Sequence, residues 1–331
     1  MILLFCTIKS RFYSFMKCMR LRIWNILALL ILSVNSVRAQ WDVQFSDYTT
    51  LKSFYNPAVA GTDGLLNVAG TYSMQMVGYS GAPATMFVSA DCPVYFLNPR
   101  HGAGLSFMSD KIGMFSTTKI GLQYAYNLKL GKKTRLAIGV QGALLSESIN
   151  PSKVELIDSN DPAFPSSTVS GSRFDLGGGL YFYHPKYFLG LSGQHLLAPT
   201  IMMGERNEVS IDRVYYLMGG CNIKIKNTLF SLAPSFLVQS DLQSWREDVQ
   251  CKFCMDYDGK KLYAGVGYSP SVSTTFLLGG SFNGICIGYS YQMYTSGIGA
   301  VNGSHELVLS FQTDLDLFKK GRNAHKSVRW L

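Results

Sequence analysis

The stretch of sequence that decides the fold is residues 117–130, TTKIGLQYAYNLKL. From Thr118 to Leu130, every second residue is apolar, a tyrosine or a threonine, and the residues between them are polar or small. Successive side chains of a β-strand point to opposite faces, so a period of two is typical of a strand. The stretch therefore predicts a strand with one apolar face and one polar face.

The same alternation recurs along the whole chain after residue 65, and no amphipathic helix of ordinary length interrupts it. We predict an all-β chain whose strands number about fourteen. Such a set of about ten-residue strands, even in number, favours an outer-membrane β-barrel. The predicted strands are 65–77, 84–94, 102–109, 117–130, 134–147, 173–183, 187–195, 214–225, 228–240, 246–256, 260–269, 274–282, 285–294 and 304–313.

The connections between these strands sort by length onto two ends. Tight turns are predicted at 131–133, 183–185, 226–227, 258–259 and 283–284, and long connections at 148–172, 196–213 and 295–303. Alternate connections of an up-and-down barrel share one end, and membrane barrels place their short turns in the periplasm. We therefore predict a transmembrane antiparallel up-and-down β-barrel in the bacterial outer membrane, with both barrel termini periplasmic.

The alternating pattern leaves a second architecture open. An apolar strand face can be covered by lipid or by a second sheet, as in a secreted β-sandwich or propeller, and periodicity alone does not decide between them. The even spacing of the strands, the 19 tyrosines and 20 phenylalanines, and a charged content of only 15% favour the lipid bilayer. A helical membrane protein is excluded because no apolar run reaches 18 residues.

The first 39 residues are typical of a secretory signal peptide. Six basic residues, no acidic ones, an apolar run and small residues before Gln40 follow in the expected order. Removing six of the 30 basic residues leaves 24 against 21 acidic ones, a net charge near +3. This charge argues against a nucleic-acid partner. The four predicted parts are the signal peptide 1–39, an N-terminal periplasmic or plug segment 40–64, the barrel 65–313 and a basic periplasmic tail 314–331.

No residue pattern in the sequence indicates catalysis, a cofactor or a metal. The five histidines are dispersed, and the glycine clusters at 102–104 and 177–179 lie inside predicted strands, where they do not form nucleotide loops. Cys251 and Cys254 have CxxC spacing, but residues three apart on a strand point to opposite faces. We expect a protein that is not an enzyme.

The predicted short-turn end is rich in lysine. One interpretation is that turn lysines keep hairpin tips solvated and prevent edge pairing. The other is that they form a basic face that attracts an acidic periplasmic partner or anionic headgroups. The candidate contact residues are Lys132, Lys133, Lys186, Lys226, Lys260 and Lys261.

The segment 40–64 has neither helical nor strand periodicity, yet it is rich in aromatic residues. We expect these rings to pack into the barrel mouth as a plug, with Asn56-Pro57 turning the chain into the first strand. The alternative is a contact surface for a partner subunit.

Specific motifs resemble the PorP/SprF family of type IX secretion proteins of the Bacteroidota. Members typically open with QFSQY and then NPAYAG, which are similar to Gln44-Phe45-Ser46 and to the stretch from Asn56-Pro57 to Gly61. Further similar motifs follow in order up to about residue 312: GAP at 81–83, DKIG at 110–113, QYAY at 123–126, YFLGLS at 187–192, PSFL at 234–237 and GSHEL at 303–307.

The resemblance implies a FadL-like barrel that serves protein export or gliding-adhesin secretion. Its implied partners are PorK/PorN-type ring subunits, peptidoglycan-binding subunits or translocon subunits. Our leading hypothesis is a non-enzymatic secretion component that docks the export machinery. The alternatives are a FadL-like transporter of hydrophobic solutes and a surface adhesin that binds through residues 148–172.

Overall fold

The computed structural model describes residues 42–94, 100–153, 165, 167–204, 207–296 and 302–314. The predicted signal peptide and the predicted tail beyond residue 314 lie outside this part. The strands are β1 (Leu66–Met74), β2 (Ala84–Pro93), β3 (His101–Ile112), β4 (Phe115–Lys129), β5 (Arg135–Ile149), β6 (Val169–His184), β7 (Tyr187–Gln194), β8 (Thr200–Met203), β9 (Asn207–Ser210), β10 (Val214–Cys221), β11 (Ile223–Lys224), β12 (Phe230–Ser240), β13 (Trp245–Tyr257), β14 (Lys260–Ser269), β15 (Ser273–Phe282), β16 (Ile285–Tyr294) and β17 (Ser304–Thr313).

Helical structure in the described residues is limited to single turns. There is one α-helical turn, α1 (Lys52–Tyr55), and there are two 3-10 turns at Pro57–Val59 and Pro151–Lys153. In this part of the chain, no helix has the length and apolar character needed to cross a bilayer.

The strands close into one antiparallel barrel. Each strand of the wall pairs with the next along the chain, except that β7 pairs with β10 because β8 and β9 form a separate hairpin. β1 pairs with β17 in a ladder from Leu66 opposite Thr313 to Met74 opposite His305. β11 continues the line of β10, and both pair with β12, so the wall has fourteen strands. The predicted all-β barrel with fourteen strands is confirmed.

The exposure of the two strand faces decides between a membrane barrel and a secreted sandwich or propeller, which periodicity alone could not do. In β4 the outward Leu122 is 67% exposed, whereas the neighbouring inward Gln123 is 5% exposed. The same alternation holds around the wall, where the exposed large side chains are apolar and many of the buried ones are Ser, Thr, Gln, Asp, Glu or Lys. A polar interior with an apolar outer band is the arrangement of a membrane barrel and not of a sandwich.

The connections lie at two ends, as predicted. The short-turn end carries the start of β1, the end of β17 and tight turns such as Asp258-Gly259 and Asn283-Gly284. All four of these turn residues have positive φ, as a two-residue hairpin turn matched to the strand twist requires. The opposite end, called here the long-loop end, carries the connections after β5, β7 and β16.

The structure differs from the prediction at the long-loop end. β5 and β6 extend to Ile149 and back to Val169, into the region predicted as a connection. The connection after β7 contains the β8–β9 hairpin. Its Ile201 and Met203 pack with Leu145 and Ile149 of β5 in a buried cluster, which explains why the wall is longer on this side.

Candidate functional site: the segment in the barrel lumen

Residues 42–62, called here the lumenal segment, lie inside the barrel and bond to strands around the wall. Backbone carbonyl and amide groups of the segment, and the Ser53 hydroxyl, are paired with polar side chains that point inward. The bonds join the Ser53 hydroxyl to Ser89, the Ser53 carbonyl to Gln123, the Phe54 carbonyl to Gln194, the Tyr55 carbonyl to Ser192, the Ser46 amide to Glu306 and the Gly61 amide to Asp91. These partners lie on β2, β4, β7 and β17.

The first family motif is held by polar groups of the wall. The Gln44 carboxamide donates to Asp248, and the Ser46 amide donates to Glu306 Oε2 over 2.8 Å. Phe45 is 1% exposed, and its amide donates to the Tyr55 hydroxyl over 3.0 Å. The motif is therefore an internal contact, and Phe45 presents almost no surface to a partner.

Asp47 is the most strongly bonded acidic residue of the segment. Lys252 Nζ lies 2.6 Å from Asp47 Oδ1, and the Tyr263 hydroxyl donates to Oδ2 over 3.2 Å. The Asp47 amide also donates to Glu306 Oε1 over 2.9 Å. We call this group of Asp47, Lys252, Tyr263 and Glu306 the Asp47 clamp. It joins the segment to β13, β14 and β17 at one point.

Asn56-Pro57 turns the chain, as predicted. Asn56 is fully buried, its Oδ1 accepts from the Ala58 amide over 2.9 Å, and its Nδ2 donates to the Leu180 carbonyl over 2.9 Å. Pro57 begins the 3-10 turn, where its missing N–H costs nothing. Asn56 therefore caps the turn and fastens it to β6 at the same time.

Gly61 lies next to the last residue of the lumenal segment, at a position that requires glycine. Its φ is +66°, and a Cβ on it would lie 2.7 Å from Gly102 Cα of β3. Its amide donates to Asp91 Oδ2 over 2.8 Å. The left-handed backbone and the close approach both require glycine.

The aromatic residues of the segment form the centre of the buried core. The ring centroids of Phe45 and Phe54 are 4.9 Å apart, edge to face, and Tyr55 meets Tyr216 of β10 at 5.4 Å in the same manner. Phe54 also packs against Phe87 of β2. These contacts fit the predicted burial of the aromatic side chains, although action as a plug stays a prediction.

A polar network at the long-loop end was missed in the sequence. His195, which follows β7 directly, lies with Nδ1 2.8 Å from Asp175 and Nε2 3.5 Å from Asp42. Asp42 also accepts from the Tyr216 hydroxyl over 2.8 Å. The imidazole therefore lies between two carboxylates inside the lumen. The four residues are far apart in sequence, so no local pattern marked them.

A cavity of about 170 Å³ lies between the segment and the wall towards the long-loop end. The segment contributes Gln44, Ser46 and Tyr48 to its lining, and β13 contributes Arg246 and Gln250. In the described residues, no group of three or more His, Cys, Asp or Glu side chains is placed to hold a metal ion.

All six lysines predicted as partner contacts lie towards the short-turn end, but only five of them are exposed. Lys132, Lys133, Lys186, Lys226 and Lys260 are exposed at or beside the hairpin turns. Lys261 is instead half-buried on the inward side of β14, with Nζ 4.0 Å from Asp256 Oδ2. The structure thus groups five of the six lysines on one exposed rim, called here the lysine rim.

The fold and the lipid-facing surface define a class of protein, the outer-membrane β-barrels. Among solved structures, a FadL homologue from Pseudomonas aeruginosa is similar at 13% identity over 78% of this chain and 92% of that one, with a TM-score of 0.47. A mutant of the monoaromatic hydrocarbon channel TodX matches at 11% identity over 82% and 95%, with a TM-score of 0.46. Omp33 of Acinetobacter baumannii matches at 7% identity over 75% and 98%, with a TM-score of 0.40.

The amino-acid sequence matches one protein-family model over most of its length. The model of the type IX secretion system membrane protein PorP/SprF matches residues 37–311, and the chain belongs to this family. No curated protein matches the chain significantly. The family and the barrel fold place the protein in the bacterial outer membrane as a component of type IX secretion.

Proposed function

We propose that this barrel is a non-enzymatic secretion component that docks periplasmic subunits through its short-turn end. The family supports the role in secretion. The observation that carries the docking is the lysine rim, in which five exposed lysines from four separate connections lie at one end of the barrel. The proposed partners are PorK/PorN-type ring subunits, peptidoglycan-binding subunits or translocon subunits.

The rim suits a partner with an acidic face. Lysines at hairpin tips keep their charge in water, and their combined field extends over about a Debye length, roughly 10 Å at 0.1 M salt. Such a field accelerates the encounter with an acidic surface and fixes its orientation. The short-turn end also carries the start of β1 and the end of β17. A docked subunit would therefore contact the chain where it enters and leaves the membrane.

We further propose that the lumenal segment acts as a plug. Phe45, Leu51, Tyr55 and Asn56 are each at most 1% exposed, and they fill the space that a solute would need. This burial argues against the alternative of a FadL-like transporter that is open in this state. It also argues against these residues as a partner surface, because they are already covered by the wall.

The docking proposal is tested by neutralising the rim. We expect a variant with Lys132, Lys133, Lys186, Lys226 and Lys260 changed to Gln to lose at least tenfold in co-purification of the periplasmic subunits. We also expect type IX cargo on the cell surface to fall in parallel. The measurements are cross-linking pull-down from membranes read by mass spectrometry, and surface labelling of the cargo.

The matched control changes two cations at the other end. Lys111 and Arg173 are exposed near the long-loop end of β3 and β6, and the pair of changes Lys111→Gln and Arg173→Gln removes charge without touching the rim. Co-purification should stay at the level of the unaltered protein. Equal loss in both variants, or no loss in the rim variant, would count against docking at the short-turn end.

A further inference from the structure

The two ends of the lumenal segment lie at opposite ends of the barrel. Asp42 contacts His195, which directly follows β7 at the long-loop end. It also contacts Tyr216, near the long-loop end of β10. Gly61 instead contacts Asp91, near the short-turn end of β2, and approaches Gly102, the second residue of β3. The chain therefore runs down the lumen from the long-loop end to the short-turn end before β1 begins.

The contacts between these ends show how the chain crosses the lumen. The Asp47 clamp fastens the segment to the side of the barrel formed by β13, β14 and β17. Ser53 then meets Ser89 of β2, with their hydroxyl oxygens 3.0 Å apart. Ala58 reaches β5 so closely that a Cβ on Gly139 would lie 2.4 Å or less from its backbone. The net direction along the sequence is towards the short-turn end, although the Phe54 carbonyl accepts from Gln194, the last residue of β7 at the long-loop end.

We propose that residues 42–62 form a strap that makes one additional, non-strand pass through the barrel and is held in place by the Asp47 clamp. The proposal deepens the suggested role as a plug and is independent of docking at the rim. It differs from the expectation of a periplasmic segment, because the amino end of the strap lies in the long-loop half of the molecule.

The Asp47 clamp holds the strap through the ion pair between Asp47 and Lys252. Most other contacts of the strap are hydrogen bonds between uncharged groups and packing of aromatic rings. Asp42 has a second charged contact through His195, but this one lies at the strap's amino end. The strap is continuous with β1 at the short-turn end, so loosening the clamp frees its middle while the barrel wall keeps all its ladders.

The path is tested by disulfide trapping in the full-length protein, with Cys92, Cys221, Cys251, Cys254 and Cys286 changed to Ser. The variant with Ser53→Cys and Ser89→Cys should form a disulfide in most molecules, because the two hydroxyls already touch. The pair of Asp42→Cys and His195→Cys reports on the direction of the strap. The native contact joins the tips of two longer side chains, so this pair is trapped with a short bis-maleimide and should be cross-linked by it.

Two control pairs give the opposite expectation. Ser290 is a buried lumenal residue of β16, so Ser53→Cys with Ser290→Cys should stay reduced. Asp42→Cys with Lys133→Cys joins the strap's amino end to the short-turn rim and should not be cross-linked by the same bis-maleimide. The path is overturned if folded barrels, recognised by their heat-dependent gel migration, trap the control pairs or fail to trap the first two.

The clamp is tested by the rate at which Ser53→Cys, on the same background, reacts with a small maleimide. Lys252→Met should raise this rate at least tenfold, because the strap then moves away from the wall more often. The matched control Gln250→Leu alters the same face of β13, two residues away, where the carboxamide has no hydrogen-bond partner among the described residues. It should leave the rate unchanged.

An unchanged rate in Lys252→Met would overturn the clamp even if the trapping confirmed the path. The plug role would fail in a different way. If the strap is trapped in the lumen and the barrel still conducts ions, the plug role is refuted while the path of the strap stands.

Discussion

Glycines on the inner wall set how closely the strap approaches it. A Cβ on Gly139 of β5 would lie 2.6 Å from the Pro57 carbonyl carbon, and one on Gly102 of β3 would lie 2.7 Å from that of Ala60. In both cases the obstacle is backbone, which cannot rotate away as the end of a side chain can. The sequence placed the cluster 102–104 inside a strand, and the structure adds that Gly102 and Gly139 receive the strap.

We expect Gly139→Ala to destabilise the barrel by about 1–3 kcal/mol, as overpacking of a filled interior does. The measurement is the free energy of unfolding by denaturant in lipid vesicles. Gly70→Ala on β1 is the control, because a Cβ there would meet its nearest atoms at 3.7 Å, an ordinary contact. Equal effects of the two changes would show that the strap does not press on β5.

At the scale of elements, the β8–β9 hairpin explains the length of β5 and β6. The hairpin buries Ile201 and Met203 against Leu145 and Ile149, and this apolar cover supports strands that would otherwise end earlier. Each strand of the hairpin has only four residues, too few for a period of two to stand out. The sequence therefore gave no signal for it beyond a long connection.

We expect Ile201→Ala to cost about 2–5 kcal/mol of local stability, the usual effect of truncating a fully buried isoleucine. Met202→Ala is the matched control in the same strand, since the Met202 side chain is 42% exposed. Hydrogen exchange of the β5 and β6 amides nearest the long-loop end should accelerate in the first variant alone. Equal exchange in both variants would mean that the hairpin does not support these strands.

At the scale of the whole molecule, the barrel carries its polar residues inside and its apolar residues outside. The lumen is filled by a segment that the wall binds through side chains on many strands, from Ser89 on β2 to Glu306 on β17. A polar lumen without such a filling would hold water, as the channels of porins do. We therefore propose that this filling determines whether the barrel conducts.

We expect the intact protein to show no stable conductance in planar bilayers, and a variant lacking residues 42–55 to show discrete open steps. The deletion leaves Asn56 and the 3-10 turn in place, so the entry into β1 is kept. A variant with the same number of residues deleted from the long connection after β5 is the control and should remain closed. Open steps in the intact protein would refute the plug.

Local features of the lumenal segment could be predicted from the sequence, whereas its contacts with the barrel wall could not. The aromatic content of segment 40–64 indicated burial, and Asn56-Pro57 indicated a turn, because these are local properties of residue type. The partners of Asp47 lie about two hundred or more residues away, at Lys252, Tyr263 and Glu306. No local pattern brings such residues together, since the closure of the barrel does so.

By itself, the sequence determined the strands of the barrel wall, their number and the two ends of the barrel, because alternation and turn chemistry act within a few residues. It also determined that each strand has one apolar and one polar face. Only the tertiary structure decided which face is inside, since that depends on whether lipid or protein covers the wall. It likewise decided that Lys261 turns inward and that the strap crosses the lumen, because both follow from how fourteen distant strands close around one segment.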